Sequence, residues 1–322
     1  MRIGALTVPL HDRSLEAAAG YLADVGAEAV ELGCGGNPGD DHLPRDEYLD
    51  DPDRQGDLHD LLTMHNLAIS ALATHNNPLH PDETTRKQAD SELREAIILA
   101  SQLGIDTVTC FSGLPGGAPE DTTPNWVTAP WPPVHQEILR YQWDTAIEYW
   151  TDLATHADDH NVNVAIEMHP NMLIYEPTGL LHLREHTNHR IGANFDPSHL
   201  YWQGMEIPTV IRLLADHDAI HHVHAKDTGF YPTNIRRKGV LDTAPFDEAV
   251  DRSWLFRTIG YGHDEGHWKD VISSLRLVGY DGTISIEHED ILLGSEEGLE
   301  KAINFLRRIR FETDPADIFW AD

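Results

Sequence analysis

Cysteine is scarce in this chain of 322 residues, since Cys34 and Cys110 are the only two. Two cysteines provide neither a disulfide framework nor a cysteine-rich zinc site. The apolar run at the N-terminus is short and is interrupted by His11, Asp12 and Arg13, so it does not predict a signal peptide. No later stretch approaches the roughly 18 apolar residues of a membrane-spanning helix. We therefore expect a protein of the reducing cytoplasm.

Lysine is also scarce, because only five of the 23 basic residues are lysines, and 54 acidic residues outnumber them. The formal net charge of −31 repels phosphate backbones and anionic membrane surfaces, which disfavours nucleic acid or a membrane as a partner. An excess of carboxylates with few lysines is typical of proteins adapted to concentrated salt, where charges are screened over roughly 3 Å at 1 M. The composition predicts a halophilic protein, with an ordinary acidic mesophilic enzyme as the alternative.

The length fits two average domains or one large α/β barrel. A hydrophobic content of 40% and a mean hydropathy of −0.40 indicate a folded chain with a sizeable core and a polar surface. No serine-rich or proline-rich linker divides the sequence, so we assign residues 1–322 to one domain. We expect the C-terminal segment 311–322, with Phe311, Phe319 and Trp320, to pack on its own barrel or on another subunit of a homo-oligomer.

Short β-branched runs alternate with helical patterns along almost the whole chain, as in repeated βα units with a parallel sheet. The predicted strands cover residues 3–8, 29–32, 68–73, 107–111, 162–167, 191–196, 220–224 and 283–287. The predicted helices cover residues 14–25, 57–65, 82–103, 135–160, 177–186, 208–215, 266–278 and 295–309. Eight of each favours a closed (β/α)8 TIM barrel of the α/β class. A doubly wound open sheet is the alternative, but residues 7–11 lack the glycine-rich phosphate loop that usually accompanies it.

Two connections are unusually long: residues 112–133 after strand four and residues 227–266 after strand seven. In a barrel both emerge at the C-terminal face, where active sites are built, so we expect them to shape a substrate pocket. Trp126 and Trp131 in the first loop are candidates for an apolar wall against the face of a sugar. Burial against the rim of the barrel is the alternative for both.

Acidic or imidazole side chains stand where four successive apolar runs end, at Glu167, Asp196, His224 and Glu287. The ends of adjacent barrel strands meet at one mouth, so three carboxylates and one imidazole converge there. Carboxylates that converge without a counter-charge repel one another, and a divalent cation removes the repulsion. Three oxygen ligands and one nitrogen suit Mn²⁺, Mg²⁺ or Co²⁺ better than structural zinc. Each residue alone could instead be a solvated strand end, a turn cap or a structural histidine.

The motifs around these residues resemble the xylose isomerase-like barrel superfamily of sugar isomerases and epimerases, in its sugar phosphate isomerase/epimerase branch. The resemblance covers nearly the whole chain and rests on residues 167–170 (Glu-Met-His-Pro), 196–199 (Asp-Pro-Ser-His), 224–227 (His-Ala-Lys-Asp) and 285–290 (Ser-Ile-Glu-His-Glu-Asp). It implies that Glu167, Asp196, His224 and Glu287 hold one divalent ion, for which we favour Mn²⁺. It also implies that Glu167 and Glu287 exchange protons with the substrate and that His199 contacts a substrate hydroxyl or carbonyl.

Five further residues are candidates for substrate contact. Each could equally be structural or could support a ligand from behind. They are His169, Lys226, Arg257, His263 and His75.

The residues leave the type of reaction open. A metal chelated by a carbonyl and its neighbouring hydroxyl acidifies the adjacent C–H, and two carboxylates on opposite faces can remove and return a proton, which gives epimerisation. The same enolate can instead expel a β-leaving group, as in a lyase that dehydrates keto-inositols or cleaves 3-keto-glycosides. A non-catalytic metal-dependent sugar-binding protein is a third alternative, although it would not need both glutamates.

Apurinic-site endonucleases belong to the same superfamily, but the sequence departs from their pattern. Residues 110–112 (Cys-Phe-Ser) stand where these enzymes need a histidine after strand four, and residues 232–239 lack their Asp-x-His pair. The net charge also disfavours DNA. We therefore expect a small-molecule sugar or keto-sugar as the substrate.

Overall fold

Eight parallel strands close into a barrel in the computed structural model, which describes residues 1–313. In chain order the strands are β1 (Arg2–Leu6), β2 (Ala29–Gly33), β3 (Ala68–Ala73), β4 (Thr107–Phe111), β5 (Asn163–Glu167), β6 (Ile191–Phe195), β7 (Ile220–Ala225), β8 (Asp227–Phe230), β9 (Trp254–Arg257) and β10 (Thr283–Ile286). All except β8 and β9 form the barrel, in which β10 closes the circle between β7 and β1. The predicted TIM barrel is confirmed. The predicted contacts of Phe319 and Trp320 lie outside the described residues.

Helices surround the barrel. In chain order they are α1 (Leu15–Val25), α2 (Arg45–Tyr48), α3 (Pro52–Met64), α4 (Glu83–Gln102), α5 (Val134–Asp159), α6 (Pro177–His186), α7 (Ser198–Tyr201), α8 (Ile207–Ala215), α9 (Pro232–Lys238), α10 (Glu265–Leu277) and α11 (Ser295–Ile309). The short α2, α7 and α9 were not predicted, because one or two turns give little periodicity. Within residues 1–313, no helix has the length and apolar character needed to cross a membrane.

Helix α3 begins five residues before its predicted start. The side chain of Asp51 accepts a hydrogen bond from the Arg54 backbone N–H, and Pro52 occupies the first turn. This cap starts the helix in a polar segment where the apolar period is weak.

Two buried tryptophans fix helices against the C-terminal mouth of the barrel. Trp150 of α5 donates its indole N–H to the Ser112 carbonyl at 3.1 Å, and Trp268 of α10 donates to Asp227 Oδ2 at 3.0 Å. A buried indole satisfies its polar atom while the rest of the ring packs in the core. Ser112 directly follows β4, and Asp227 begins β8 two residues after the end of β7, so the helices position the segments that leave β4 and β7.

The long connection after β7 is a hairpin rather than an irregular loop. Strands β8 and β9 pair antiparallel, with Asp227 opposite Arg257 and Phe230 opposite Trp254, and α9 lies between them in the chain. The pairing joins residues more than 20 positions apart, and no short-range pattern indicates it.

Asp227 anchors this hairpin to the following turn. Its Oδ2 accepts backbone hydrogen bonds from Gly260 and Gly262 at 3.0 Å and from His263 at 2.9 Å. The turn lies so close that a Cβ at Gly262 would stand 2.4 Å from the Thr228 carbonyl oxygen. Only glycine allows this approach.

Candidate metal centre

Four side chains from neighbouring strands meet at the C-terminal mouth of the barrel. Glu167 ends β5, Asp196 follows β6, His224 lies in β7 and Glu287 follows β10, and these strands are consecutive neighbours. One potential ligand atom from each residue lies within 4.8 Å of the other three. The structure thus brings together the four residues proposed as metal ligands from the sequence.

The His224 ring lies between two sets of carboxylates. Its Nδ1 is 3.1 Å from Glu167 Oε2 and 3.2 Å from Glu287 Oε2. Its Nε2 is 2.9 Å from Oε2 of Glu31, a buried residue of β2. Burial alone would lower the pKa of His224, but the charges of Glu31 and Glu287 raise it well above the usual range.

Glu31 was not predicted, although the sequence carries a signal for it. A glutamate in the apolar run AVELG of a parallel strand is unusual, because both faces of such a strand are buried. Its carboxylate is stabilised by four side-chain partners, His222, His224, Thr109 and Ser285, at 2.6 to 3.1 Å. Potential ligand atoms of Glu31, His222 and His224 also lie within 4.8 Å of one another. The hydrogen bonds already made by both Glu31 oxygens favour a support for His224 over a second metal site.

Glu167 is surrounded by side chains from β6, from α7 and from the loop that follows β3. Oε1 lies 3.1 Å from His199 Nε2, while Oε2 lies 2.9 Å from Asn194 Nδ2 and 3.3 Å from His75 Nε2. Burial alone would raise the pKa of Glu167, but the neighbouring imidazoles of His199, His224 and His75 hold it well below the usual range. Glu167 is therefore a carboxylate, as a metal ligand must be.

Lys226 brings a counter-charge into the cluster that the sequence argument did not include. Its buried Nζ lies 2.6 Å from Glu287 Oε2, 3.0 Å from Glu289 Oε2 and 3.2 Å from Asp196 Oδ2. Burial alone would lower the pKa of Lys226, but these carboxylates raise it well above the usual range. The premise that the carboxylates converge without a cation was therefore wrong, and charge repulsion alone does not require a metal here.

The donor set itself nevertheless fits a divalent cation. Asp196 Oδ1 accepts a hydrogen bond from the Ser198 backbone N–H at 2.8 Å. Oδ2 makes no hydrogen bond among the described residues, but Lys226 Nζ and His199 Nε2 each lie 3.2 Å from it. Burial would raise the pKa of Asp196, but the charges of Lys226 and His199 hold it at about 2. Because Oδ2 makes no hydrogen bond, it can become a metal ligand without breaking one. Three carboxylates and one imidazole suit Mn²⁺ and leave positions for a substrate.

His199 and His169 lie beside the four-residue cluster, and their contact with a substrate stays a prediction. His199 Nε2 is 3.2 Å from Asp196 Oδ2, and the His169 ring packs against the His199 ring with centroids 4.3 Å apart. Burial would lower the pKa of His199, but the charge of Asp196 raises it to about 9. Burial, together with the charge of His199, lowers the pKa of His169 to about 3. A charged and a neutral imidazole thus stand side by side.

Arg257 and His263 have partners outside the four-residue cluster. Arg257 Nε donates to Asp290 Oδ2 at 3.0 Å, while His263 Nδ1 lies 2.7 Å from Asp227 Oδ1 and its ring stacks on Tyr201. These contacts hold the hairpin and the turn that follows it. A role for either residue in substrate contact stays a prediction.

A cavity of about 1010 Å³ lies beside the cluster. Its aromatic lining comprises Trp126, Trp202, Phe246, Trp254 and Phe256. Phe256 connects the two regions, because its ring centroid is 4.6 Å from Lys226 Nζ and 5.2 Å from that of His199. Trp126 is among the lining residues, and its contact with a sugar stays a prediction. Trp131 is 76% exposed and is not among the lining residues.

The family of the chain follows from comparison with known proteins. Residues 19–309 match the family described as xylose isomerase-like TIM barrel, and the chain belongs to that family. The uncharacterized protein YfiH of Bacillus subtilis (strain 168) is 34% identical over 312 residues, which cover 96% of this chain and 99% of the relative. Membership in the family supports an enzymatic function.

Two solved structures illustrate the shared fold. A structure of IolI protein with a bound zinc atom is 18% identical, covers 97% of this chain and 100% of its own, and superimposes with a TM-score of 0.68. A D-psicose 3-epimerase solved in the presence of D-fructose is 13% identical, covers 96% of this chain and 99% of its own, and gives a TM-score of 0.64. At these identities the similarity shows the fold alone.

Proposed function

We propose that this protein is a divalent-metal-dependent isomerase or epimerase of a ketose or related keto-sugar, with Glu167 and Glu287 as acid and base. The observation that carries the proposal is the approach of both glutamates to one nitrogen of His224, at 3.1 and 3.2 Å, in a cluster that also contains Asp196. Among the structural neighbours, the zinc bound to IolI supports a metal site, and the name of D-psicose 3-epimerase supports epimerase chemistry.

The positions of the two glutamates suit proton transfer on two faces of an enediolate. A divalent ion held by the cluster would polarise a substrate carbonyl and acidify the adjacent C–H. Glu167 and Glu287 belong to strands separated by β6 and β7, so their carboxylates approach the centre from different sides. One glutamate removes a proton from one face and the other returns a proton to the opposite face.

The two glutamates differ in their surroundings. The Glu287 side chain is 16% exposed, whereas that of Glu167 is 2% exposed and is held by three histidines. We assign to Glu287 the proton that exchanges with solvent, because water reaches its carboxylate more easily. Glu167 would carry the proton on the enclosed face.

The size of the cavity favours a second candidate function, a lyase that acts on a keto-inositol or a 3-keto-glycoside. The cavity has a volume of about 1010 Å³, at the upper end of the range for ligand pockets, which is roughly 300–1,000 Å³. A leaving group next to the sugar ring would have room against the aromatic wall. The first step would be the same proton removal, after which the bond to the leaving group breaks.

Deuterium exchange tests both candidates. Manganese-loaded protein is incubated in D₂O with ketoses, keto-inositols and 3-keto-glycosides, and the products are analysed by mass spectrometry. Incorporation of deuterium with otherwise unchanged composition supports an isomerase or epimerase, and loss of water or aglycone supports a lyase. The Glu167→Gln/Glu287→Gln double variant is the control. Equal exchange in the wild type and the double variant would contradict the proposed role of the glutamates.

A further inference from the structure

The acidic residues that line the aromatic cavity form ion pairs, whereas the arginine that lines it does not. Three of them are acidic, and each has a basic partner. The pairs are Asp242 with Lys238 at 2.9 Å, Asp290 with Arg257 at 3.0 Å, and Glu289 with Lys226 at 3.0 Å. The one arginine of the lining, Arg252, has no carboxylate within 4 Å among the described residues.

Arg252 is 3% exposed and is the only buried arginine of residues 1–313. Its Nε donates to the Trp254 carbonyl at 3.2 Å and its Nη1 donates to the Ala244 carbonyl, while Nη2 has no hydrogen-bond partner among these residues. A buried charge is unfavourable unless it is paired. Other arginines, such as Arg184 and Arg212, also lack a carboxylate partner, but they are not buried. Arg252 alone combines burial with the lack of a carboxylate within 4 Å among residues 1–313, and the charge of Asp242 acts on it only from a longer distance.

The aromatic wall limits how a ligand can reach Arg252. The guanidinium lies over the ring of Phe246 at 4.1 Å and near that of Trp254 at 4.9 Å. These cation–π contacts restrict the orientation of the guanidinium. The two ring centroids are only 6.5 Å apart, so the rings do not stack on opposite faces of it. The edge that carries Nη2 is left for a ligand, and the edge of a guanidinium matches the oxygens of a carboxylate.

We propose that Arg252 binds a carboxylate on the part of the substrate remote from the reacting carbon, so that the substrate is an acidic keto-sugar. This inference rests on the proposed function. Phe256 and Glu289 line the cavity and also contact Lys226, which pairs with Asp196 and Glu287 of the four-residue cluster. A molecule held at the cluster therefore extends into the cavity. The lining holds no second lysine or arginine, and a single guanidinium balances a carboxylate better than a doubly charged phosphate.

Three matched probes test the charge and the shape of the ligand. Binding of D-fructuronate, D-fructose and D-fructose 6-phosphate to manganese-loaded protein is measured by titration calorimetry. We expect D-fructuronate to bind roughly tenfold more tightly than D-fructose, since a hydrogen bond to a charged group has about this effect. The affinity of D-fructose 6-phosphate should exceed that of D-fructose by a smaller factor.

Variants connect this preference with Arg252. In Arg252→Met the preference for D-fructuronate should disappear while the affinity for D-fructose is unchanged, and Arg252→Lys should retain part of it. Arg212→Met, which removes an exposed arginine of α8, is the control and should bind like the wild type. Thermal unfolding shows whether each variant is folded. If Arg252→Met is not folded, the affinities of the wild-type protein for the three probes test the inference without it.

Three outcomes would overturn the inference: no preference for D-fructuronate in the wild type, a stronger preference for D-fructose 6-phosphate, or a preference that survives in folded Arg252→Met. The last would mean that the carboxylate binds elsewhere, for example at the metal. Metal-dependent deuterium exchange into neutral ketoses would then leave the proposed function intact. If the wild-type protein showed no such exchange, the proposed function itself would be contradicted.

Discussion

His224 Nε2 lies 2.9 Å from Glu31 Oε2, so the imidazole that faces the candidate metal centre is held from behind by a carboxylate. A carboxylate at one ring nitrogen fixes the orientation of the ring and leaves the other nitrogen as the electron-pair donor. Glu31 belongs to β2 and His224 to β7, and these strands are not neighbours in the barrel. The alignment of the imidazole therefore depends on a contact across the barrel interior.

Glu31→Gln should weaken Mn²⁺ binding by roughly 10- to 100-fold, because the amide no longer fixes the protonated nitrogen of His224. Titration calorimetry on metal-stripped protein measures the effect. Glu16→Gln, an exposed position of α1, is the matched control and should leave affinity unchanged. Unaltered Mn²⁺ affinity in folded Glu31→Gln would show that Glu31 does not support the site.

Glu167→Gln and Glu287→Gln should each lower turnover by roughly 10²–10⁴, the usual effect of losing a general acid or base. If each glutamate serves one face, one epimer should still exchange its α-proton in Glu287→Gln and the other in Glu167→Gln. Glu289→Gln, which contacts Lys226 from the exposed side, is the control with a smaller expected effect. Near-normal turnover in both variants, with metal content measured, would leave these residues as ligands only.

Removal of the metal should abolish activity and leave the fold intact, because Lys226 and the neighbouring histidines also balance the carboxylates. Chelation followed by addition of Mn²⁺, with elemental analysis, should give one ion per chain at full activity. Circular dichroism of the stripped protein should be unchanged. Full activity in protein shown to contain no metal would rule out the requirement.

Asp227→Ala should lower the free energy of unfolding by about 3 kcal/mol or more, because several buried N–H groups lose their acceptor. These groups belong to Gly260, Gly262, His263 and Trp268. Urea denaturation measures the change, and exposed Asp270→Ala on α10 is the control. Equal stability of the two variants would mean that the hairpin is not anchored through Asp227.

Added KCl should stabilise the protein, since screening reduces the self-repulsion that accompanies a net charge of −31. The melting temperature should rise between dilute buffer and 1 M KCl. Glycerol at matched viscosity is the control for non-ionic effects. A melting temperature that is the same at both KCl concentrations would contradict the halophilic interpretation of the composition.

The barrel was predictable because each βα unit is local in sequence. The predicted bounds of β3 (Ala68–Ala73) and β4 (Thr107–Phe111) agree with the structure, since polar or turn-forming residues flank both apolar runs. The convergence of four strand ends followed from the geometry of parallel barrels alone.

The parts that were missed depend on contacts between distant residues. Strands β8 and β9 have four residues each and pair across a long insertion. The direction of the Lys226 side chain, towards Asp196 and Glu287, is decided by the hairpin that starts at the next residue. Neither the spacing of residues along the sequence nor their types indicates such contacts.

The insertion between β7 and β10 carries Arg252, Trp254 and Phe256 of the cavity wall, whereas the four candidate ligands stand on or directly after barrel strands. On the proposed function, we expect substitutions of these three wall residues to change which molecule is admitted while the four candidate ligands stay in place. Gene duplication followed by divergence of this segment alone would produce paralogues with a common reaction and different substrates. Exchanging residues 227–257 between relatives should likewise transfer the substrate preference.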